Sequence, residues 1–141
     1  MSGSIDWEEV PLPDVDQPEL APYWEGTRQD ELRICSCEHC GKDLWPPRAA
    51  CWNCASLEQR WKVVAGEGTL FTWTVVGHPT VPGFRDLIPY AVGVVTLDDA
   101  PSVRMTGRLL TPPDQLEIGA PMRAVFEHVN ERVTLPVWEL A

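Results

Sequence analysis

The sequence CEHCGKDLWPPRAACWNC, residues 37–54, decides the fold of the N-terminal half of this chain. It contains two Cys-x2-Cys pairs, Cys37/Cys40 and Cys51/Cys54. Each pair bends the backbone so that two thiolates reach one ion, and two such pairs supply the four ligands of a closed tetrahedral zinc site. The spacing therefore predicts a zinc ribbon, in which Gly41 is expected to provide the positive φ that often follows the first pair.

Two disulfides or four free thiols are the alternatives for these four cysteines, but neither accounts for the two matched spacings. A zinc ion with four protein ligands has no open position for substrate water, so we expect a structural metal and not a catalytic one. Because ligand thiols must stay reduced, the sequence favours the cytoplasm. His39 is expected to face solvent, and Cys35, the fifth cysteine, is expected to be buried without a metal role.

The negative charge of the chain is concentrated at its N-terminus. The formal net charge is -10 for 141 residues, and residues 1–31 hold nine acidic side chains against one base, Arg28. We interpret residues 1–17 as an acidic extended arm, in which two prolines interrupt any helix. The arm is either a solvated leader or a segment that lies on a basic patch of a partner. No apolar run of about 18 residues occurs, so the sequence predicts no membrane span.

Residues 18–64 are predicted to contain a helix followed by the zinc ribbon. Leu20, Tyr23 and Trp24 recur at helical spacing, so a helix over residues 18–30 presents one aromatic stripe to another surface, either this protein's own or a partner's. A ribbon of about 30 residues buries little apolar surface, and zinc binding is therefore expected to supply much of its folding free energy.

Residues 65–141 are predicted to form a small β-barrel. Apolar stretches separated by glycine and proline turns indicate about five strands and no long helix. The strands are expected at residues 69–76, 90–97, 102–110, 122–129 and 133–138. An OB-fold is the economical choice among closed barrels of this size. The predicted fold class is therefore mostly β: an N-terminal helix, a zinc ribbon and a C-terminal OB-fold barrel.

The sequence offers no convincing catalytic constellation. It lacks a GxSxG nucleophile elbow and an HExxH motif, and Cys35 is the only cysteine outside the predicted zinc set. His78 and His128 stand alone in a loop and a late strand, where a histidine is more often a hydrogen-bonded structural residue than a catalyst. We assign no catalytic residue, and we do not expect the chain to be an enzyme by itself.

Aromatic side chains provide the candidate interface, because the chain has seven tryptophans and that residue is enriched at interface centres. In a ribbon with little core the same rings also fill space, so we expect some to pack inside and at least one to face outward. The loop 77–88 is a second candidate surface, with a plain solvated connection as its alternative. The predicted partner or ligand interface comprises Tyr23, Trp24, Trp45, Trp52, Phe84 and Arg85.

The charge balance argues against nucleic acid as a partner. The basic and acidic side chains of the ribbon cancel once the negative charge of a zinc–tetrathiolate centre is included. The sequence pI is about 4.6, and the barrel segment has no cluster of lysines. Electrostatic attraction to phosphates needs a basic stripe, which these residues do not provide.

Two long segments resemble a known family. They are PYWEGTRQDELRICSCEHCGKDLWPPRAACWNC, residues 22–54, and GEGTLFTWTVVGHPTVPGFRDLIPYAVGVVTLDD, residues 66–99. They resemble the acyl-CoA-associated family, formerly of unknown function, that joins a rubredoxin-like zinc ribbon to an OB-fold. The most specific pieces are residues 23–26, 45–47 and 82–84, and the resemblance runs from about Pro18 to the end of the chain.

The resemblance implies a non-catalytic accessory subunit that binds and stabilises a thiolase-superfamily enzyme acting on acyl-CoA thioesters. That partner would be a condensing enzyme or a lipid-transfer-protein-type aldolase of steroid side-chain breakdown. A hot-dog-fold hydratase is a further expected partner, and acyl-CoA is expected to reach the interface. The resemblance also implies structural zinc on Cys37, Cys40, Cys51 and Cys54. Cys35 and the acidic arm are departures from the family pattern.

Two alternatives from other functional classes remain open. One is a single-stranded nucleic-acid-binding protein, because OB barrels and zinc ribbons both serve that role. The other is a stand-alone acyl-CoA-binding module that acts without an enzyme partner.

Overall fold

The computed structural model describes residues 3–141, so the first two residues of the predicted arm lie outside the described residues. Within that range the chain is mostly β, with one α-helix near the N-terminus, as the sequence predicted. The first half contains α1 (Ala21–Arg28), β1 (Leu32–Cys37), β2 (Asp43–Leu44) and β3 (Gln59–Val64). The second half contains β4 (Glu67–Val76), β5 (Tyr90–Leu97), β6 (Arg104–Leu109), β7 (Pro121–His128) and β8 (Thr134–Leu140). Single 3-10 turns occur at Trp7–Glu9, Pro82–Phe84 and Pro113–Gln115.

The zinc ribbon is a three-stranded antiparallel sheet with the strand order β2-β1-β3. Alternation along the central strand β1 sends its side chains into two different cores. Leu32 and Ile34 pack in the main core of the molecule, which continues into the barrel. Cys35 and Cys37 face the other way, into a small cluster with Leu44 and Cys51. The ribbon is therefore attached to the barrel by one face and holds the cysteines on the other.

The five C-terminal strands form a closed barrel with the order β4-β5-β6-β8-β7, which confirms the predicted OB-fold architecture. β7 pairs with β4 at Gly68 and Met122, and β8 runs parallel to β6 at Leu109 and Trp138. The Trp138 ring is almost fully buried and fills the barrel beside Gly107. A Cβ atom at Gly107 would lie 2.9 Å from Cδ1 of Trp138, so only glycine allows this close approach.

Helix α1 is shorter than the predicted span of 18–30. Residues 18–20 form turns, and the backbone N–H groups of Leu20 and Ala21 both donate to the carbonyl oxygen of Gln17. At the other end Asp30 adopts a left-handed conformation, with φ of 59°, which terminates the helix. Helix α1 has eight residues, and none of the helices within residues 3–141 has the length and hydropathy of a membrane span.

Candidate metal centre and interface residues

The four predicted zinc ligands come together at one point at the end of β1. Their sulfur atoms all lie within 4.8 Å of one another. The Sγ atoms of Cys37 and Cys54 are 3.6 Å apart, as are those of Cys40 and Cys51. Zn–S bonds of about 2.3 Å in a tetrahedron require S···S separations of about 3.8 Å, so the cluster fits the ion. The four cysteines form the predicted structural zinc site.

The two Cys-x2-Cys turns are built alike. In each, the backbone N–H four residues after the first cysteine donates to that cysteine's carbonyl oxygen at 2.9 Å: Gly41 to Cys37, and Ala55 to Cys51. Both donors have positive φ, 74° at Gly41 and 63° at Ala55. The sequence predicted this conformation at Gly41 but not at Ala55, since an alanine gives no signal of a left-handed residue.

Backbone N–H groups around the cluster favour the thiolate form that zinc requires. A hydrogen bond from the Lys42 backbone lowers the pKa of Cys40 to about 6. The N–H of Cys40 lowers the pKa of Cys37. The Ser56 backbone N–H acts in the same direction on Cys54, but loss of hydration and the neighbouring thiols raise the pKa of Cys54 to about 12. Four thiolates at this separation repel one another, so the full ligand set forms only together with its cation.

Cys35 lies beside the metal cluster without joining it. It faces the same side of β1 as Cys37, is 2% exposed, and its backbone pairs with Leu44 and Trp61. Burial raises the pKa of the Cys35 thiol to about 11, so the side chain stays protonated and behaves as a small apolar residue.

Three of the predicted interface aromatics hold helix α1 on the ribbon. Tyr23 is buried, with its ring centroid 4.8 Å from that of Trp45 and 4.8 Å, edge to face, from that of Trp24. Burial also raises the pKa of the Tyr23 hydroxyl. The prediction that Tyr23 faces a partner needs correction, because its ring is enclosed by this chain itself. Trp24 and Trp45 are half-buried against the main core.

The other predicted interface residues are more accessible. Trp52, inside the second Cys-x2-Cys turn, is 58% exposed, and Leu57 and Val63 of the ribbon are also exposed. Phe84 is half-buried and Arg85 is exposed. The sequence predicted that at least one tryptophan of the ribbon faces outward, and Trp52 does so.

A hydroxyl–imidazole–carboxylate array lies at the junction of helix α1 and the barrel. His128 Nε2 is 2.7 Å from an Asp30 carboxylate oxygen, and Nδ1 is 2.9 Å from the Thr134 hydroxyl. The array has the composition of a catalytic triad. Thr134 is only 1% exposed, however, so its hydroxyl cannot contact a substrate. The array joins the end of α1 to β7 and β8, and His128 has the hydrogen-bonded structural role that the sequence indicated.

Comparisons with known proteins agree with this geometry. Residues 24–58 match the rubredoxin-like zinc ribbon domain of ChsH2, and residues 61–127 match the C-terminal OB-fold domain of ChsH2. A DUF35 domain-containing scaffold protein from Methanothermobacter thermautotrophicus is 32% identical over 99 residues, which are 67% of this chain and 71% of that protein. The chain belongs to the DUF35 family. The resemblance found in the sequence is thereby confirmed.

The chain is also similar to a subunit of a hydratase and to a chain of an aldolase. The 3-oxo-4,17-pregnadiene-20-carboxyl-CoA hydratase alpha subunit of Mycobacterium tuberculosis is 32% identical over 123 residues, or 86% of this chain. The chain spans only 36% of that subunit's length. A solved structure described as the Ltp2-ChsH2(DUF35) aldolase superposes with a TM-score of 0.81 at 29% identity, covering 91% of this chain and 98% of that one.

Proposed function

We propose that this chain is a non-catalytic scaffold subunit that binds and stabilises a thiolase-superfamily enzyme acting on acyl-CoA thioesters. The proposed partner is a condensing enzyme or an aldolase that shortens steroid side chains. The observation that carries the proposal is the superposition on a chain of the Ltp2-ChsH2(DUF35) aldolase, which covers nearly all of both chains. The scaffold description of the archaeal relative supports the same role.

The chemistry of the chain supports a role without catalysis. The zinc site has four protein ligands, so no coordination position is left for a substrate. Asp30, His128 and Thr134 form an array with the composition of a catalytic triad. The Thr134 hydroxyl is buried, so this array does not offer a nucleophile to a substrate. We therefore expect the purified chain to show no aldolase, thiolase or hydratase turnover.

The proposed partner surface consists of the accessible members of the predicted set, Trp52 and the tip formed by Phe84 and Arg85. An exposed tryptophan offers a large ring with only two rotatable side-chain bonds, so it suits an interface centre. Leu57, which is 76% exposed, extends the apolar area of the ribbon. Trp24 and Trp45 are half-buried and hold the helix against the ribbon through Tyr23.

The proposal is tested by co-expressing the chain with a thiolase-like enzyme from the same organism and measuring the mass of the purified complex by light scattering. We expect a stable mixed assembly whose acyl-CoA activity depends on both proteins. Trp52→Ala should weaken the assembly, while Ile118→Ala, which removes another exposed apolar side chain on the barrel, should not. Turnover by the isolated chain, or no association with any thiolase-like enzyme, would contradict the proposal.

A hydratase partner is the second candidate, favoured by the similarity to an acyl-CoA hydratase alpha subunit. The chain spans 36% of that subunit's length, and the hydratase proposed as its partner is a hot-dog-fold enzyme. Co-expression with a hot-dog-fold hydratase distinguishes the two partners. Calorimetric titration of the isolated chain with CoA thioesters tests whether acyl-CoA binds without any enzyme.

A further inference from the structure

Residues 3–16, here called the strap, lie across the loop that connects β4 and β5. The backbone N–H of Asp6 donates to the carbonyl oxygen of Gly83 at 2.9 Å. Asp6 also caps the turn Trp7–Glu9, since its carboxylate accepts from the N–H of Glu8 at 3.1 Å. Gly3 packs directly against the backbone of Asp86. The strap therefore contacts the loop at two separate points.

A row of three aromatic rings joins the strap to the barrel through the same loop. The Trp7 ring meets the Phe84 ring edge to face, with centroids 6.2 Å apart. The Phe84 ring in turn lies 5.6 Å from the ring of Tyr90, the first residue of β5. Phe84 is thus held between a strap residue and a strand residue, in geometries that favour aromatic pairs.

Gly83 is shaped to accept the strap. It is buried, and a Cβ atom at this position would collide with the carbonyl oxygen of Asp6 and with a methyl group of Val10. Gly77, in the same loop, has nothing within 4 Å of an added Cβ. The close fit is therefore specific to the point where the strap crosses.

The far end of the strap is fixed to the turn between β7 and β8. Val15 is buried at 7% exposure, and Asp16 forms an ion pair with Arg132. The N–H groups of Arg132 and Val133 both donate to the side-chain oxygen of Asn130, which orders the turn that receives the strap.

The N-terminal part of the strap also forms one wall of a cleft of about 510 Å³, which lies beside the end of the β4–β5 loop. Ile5 and Trp7 line it from the strap, and Tyr90, Arg108 and Glu127 line it from the barrel. Val15 is the single buried residue among residues 3–16, and it lies outside the main core cluster, so the strap contributes little to the barrel core. Apart from Val15 and Asp16 at its far end, the contacts of the strap fall on the loop.

We propose that the strap is a clamp that sets the conformation of loop 77–89 and keeps this cleft in its present shape. The loop has few internal restraints, namely the turn hydrogen bonds donated by Phe84, Arg85 and Leu87. Without the strap it opens locally while the barrel and the zinc ribbon stay folded. This inference rests on contacts within the chain and is independent of the proposed partner.

Hydrogen exchange of the zinc-loaded full-length chain, read by NMR or mass spectrometry, tests the clamp from both sides. Trp7→Ala removes the strap's ring, and Gly83→Ala pushes the strap off by filling its seat. We expect the amides of Phe84, Arg85 and Leu87 to exchange about tenfold faster in both variants. Tryptic cleavage after Arg85 should accelerate in parallel.

The matched controls are Glu9→Ala, which changes an exposed strap residue, and Gly77→Ala, which changes a loop glycine without close neighbours. Both should exchange like the wild type. Unchanged exchange of the loop in Trp7→Ala and Gly83→Ala overturns the clamp. Loss of protection throughout β4–β8 in Trp7→Ala also overturns it, because the strap would then belong to the global fold.

Discussion

The Tyr23 ring packs on the Trp45 ring with centroids 4.8 Å apart and planes tilted by 33°. Tyr23 lies in helix α1, and Trp45 directly follows β2 of the ribbon. This contact joins the segment before the ribbon to the segment between the two cysteine pairs. The helix is therefore part of the ribbon's packing, and its aromatic stripe covers a surface of this protein itself, which is one of the two options that the sequence left open.

Removing the Tyr23 ring should be costly. Tyr23→Ala is expected to lower the free energy of unfolding by about 3–5 kcal/mol, because the ring is buried between two tryptophans and leaves a cavity. Urea unfolding followed by tryptophan fluorescence measures the change. Tyr23→Phe keeps the ring and is expected to cost less than about 1.5 kcal/mol. Equal stability of Tyr23→Ala and Tyr23→Phe would show that the contact is unimportant.

The four metal ligands should be required for the ribbon to fold, whereas Cys35 should not be required for zinc binding. Cys40→Ser or Cys51→Ser is expected to lose the zinc and unfold the ribbon, since zinc binding supplies much of its folding free energy. Elemental analysis and the melting temperature measure this outcome. Cys35→Ala is the control and should retain one zinc per chain. A Cys40→Ser protein with full zinc content and an unchanged melting temperature contradicts this prediction.

The same ligand changes should also abolish binding to the proposed partner enzyme, because Trp52 is positioned by the second Cys-x2-Cys turn. Co-purification with the enzyme measures this effect. Full affinity in a zinc-free variant would mean that the ribbon does not contribute to the interface.

Opposite substitutions at the two cysteine turns should have opposite effects on stability. Ala55 holds φ of 63°, a conformation that costs a residue with a Cβ about 1–2 kcal/mol. Ala55→Gly should therefore stabilise the chain by up to about 1 kcal/mol, and Gly41→Ala should destabilise it by a similar amount. Nothing lies within 4 Å of a Cβ at Gly41, so the effect there is conformational. Thermal unfolding at a fixed zinc concentration measures both changes in stability. A change in the same direction for both variants would contradict the prediction.

Much of the fold could be predicted because its signals are local. Matched cysteine spacing fixes the metal site, and apolar strands between glycine and proline turns indicate the barrel. Contacts between distant segments gave no such signal. Residues 3–16 pack on a loop of this same chain, and their close approach at Gly83 joins positions about 80 residues apart in sequence. The partner-bound arm stays a prediction. The bulge in β4 between Leu70 and Thr72, where Phe71 is exposed, likewise had no counterpart in the sequence pattern.

The interface prediction was limited for a similar reason. Tryptophan and tyrosine serve both cores and interfaces, so the sequence could not separate Tyr23, which is enclosed, from Trp52, which is exposed. Tyr23 is enclosed because helix α1 turns its ring toward Trp45. That depends on the helix beginning at Ala21 and on its rotation against the ribbon.

Closure of the barrel provides the last prediction. β6 and β8 share a single pair of partner residues, Leu109 and Trp138, and the Trp138 ring packs over Gly107 of β6. Gly107→Ala places a Cβ 2.9 Å from the Trp138 ring and should cost about 1–3 kcal/mol of stability by overpacking. Gly77→Ala, with open space around its Cβ, should change stability by less than about 0.5 kcal/mol. Urea unfolding of both variants measures the difference, and similar midpoints would mean that the strands separate to admit the methyl group at little cost.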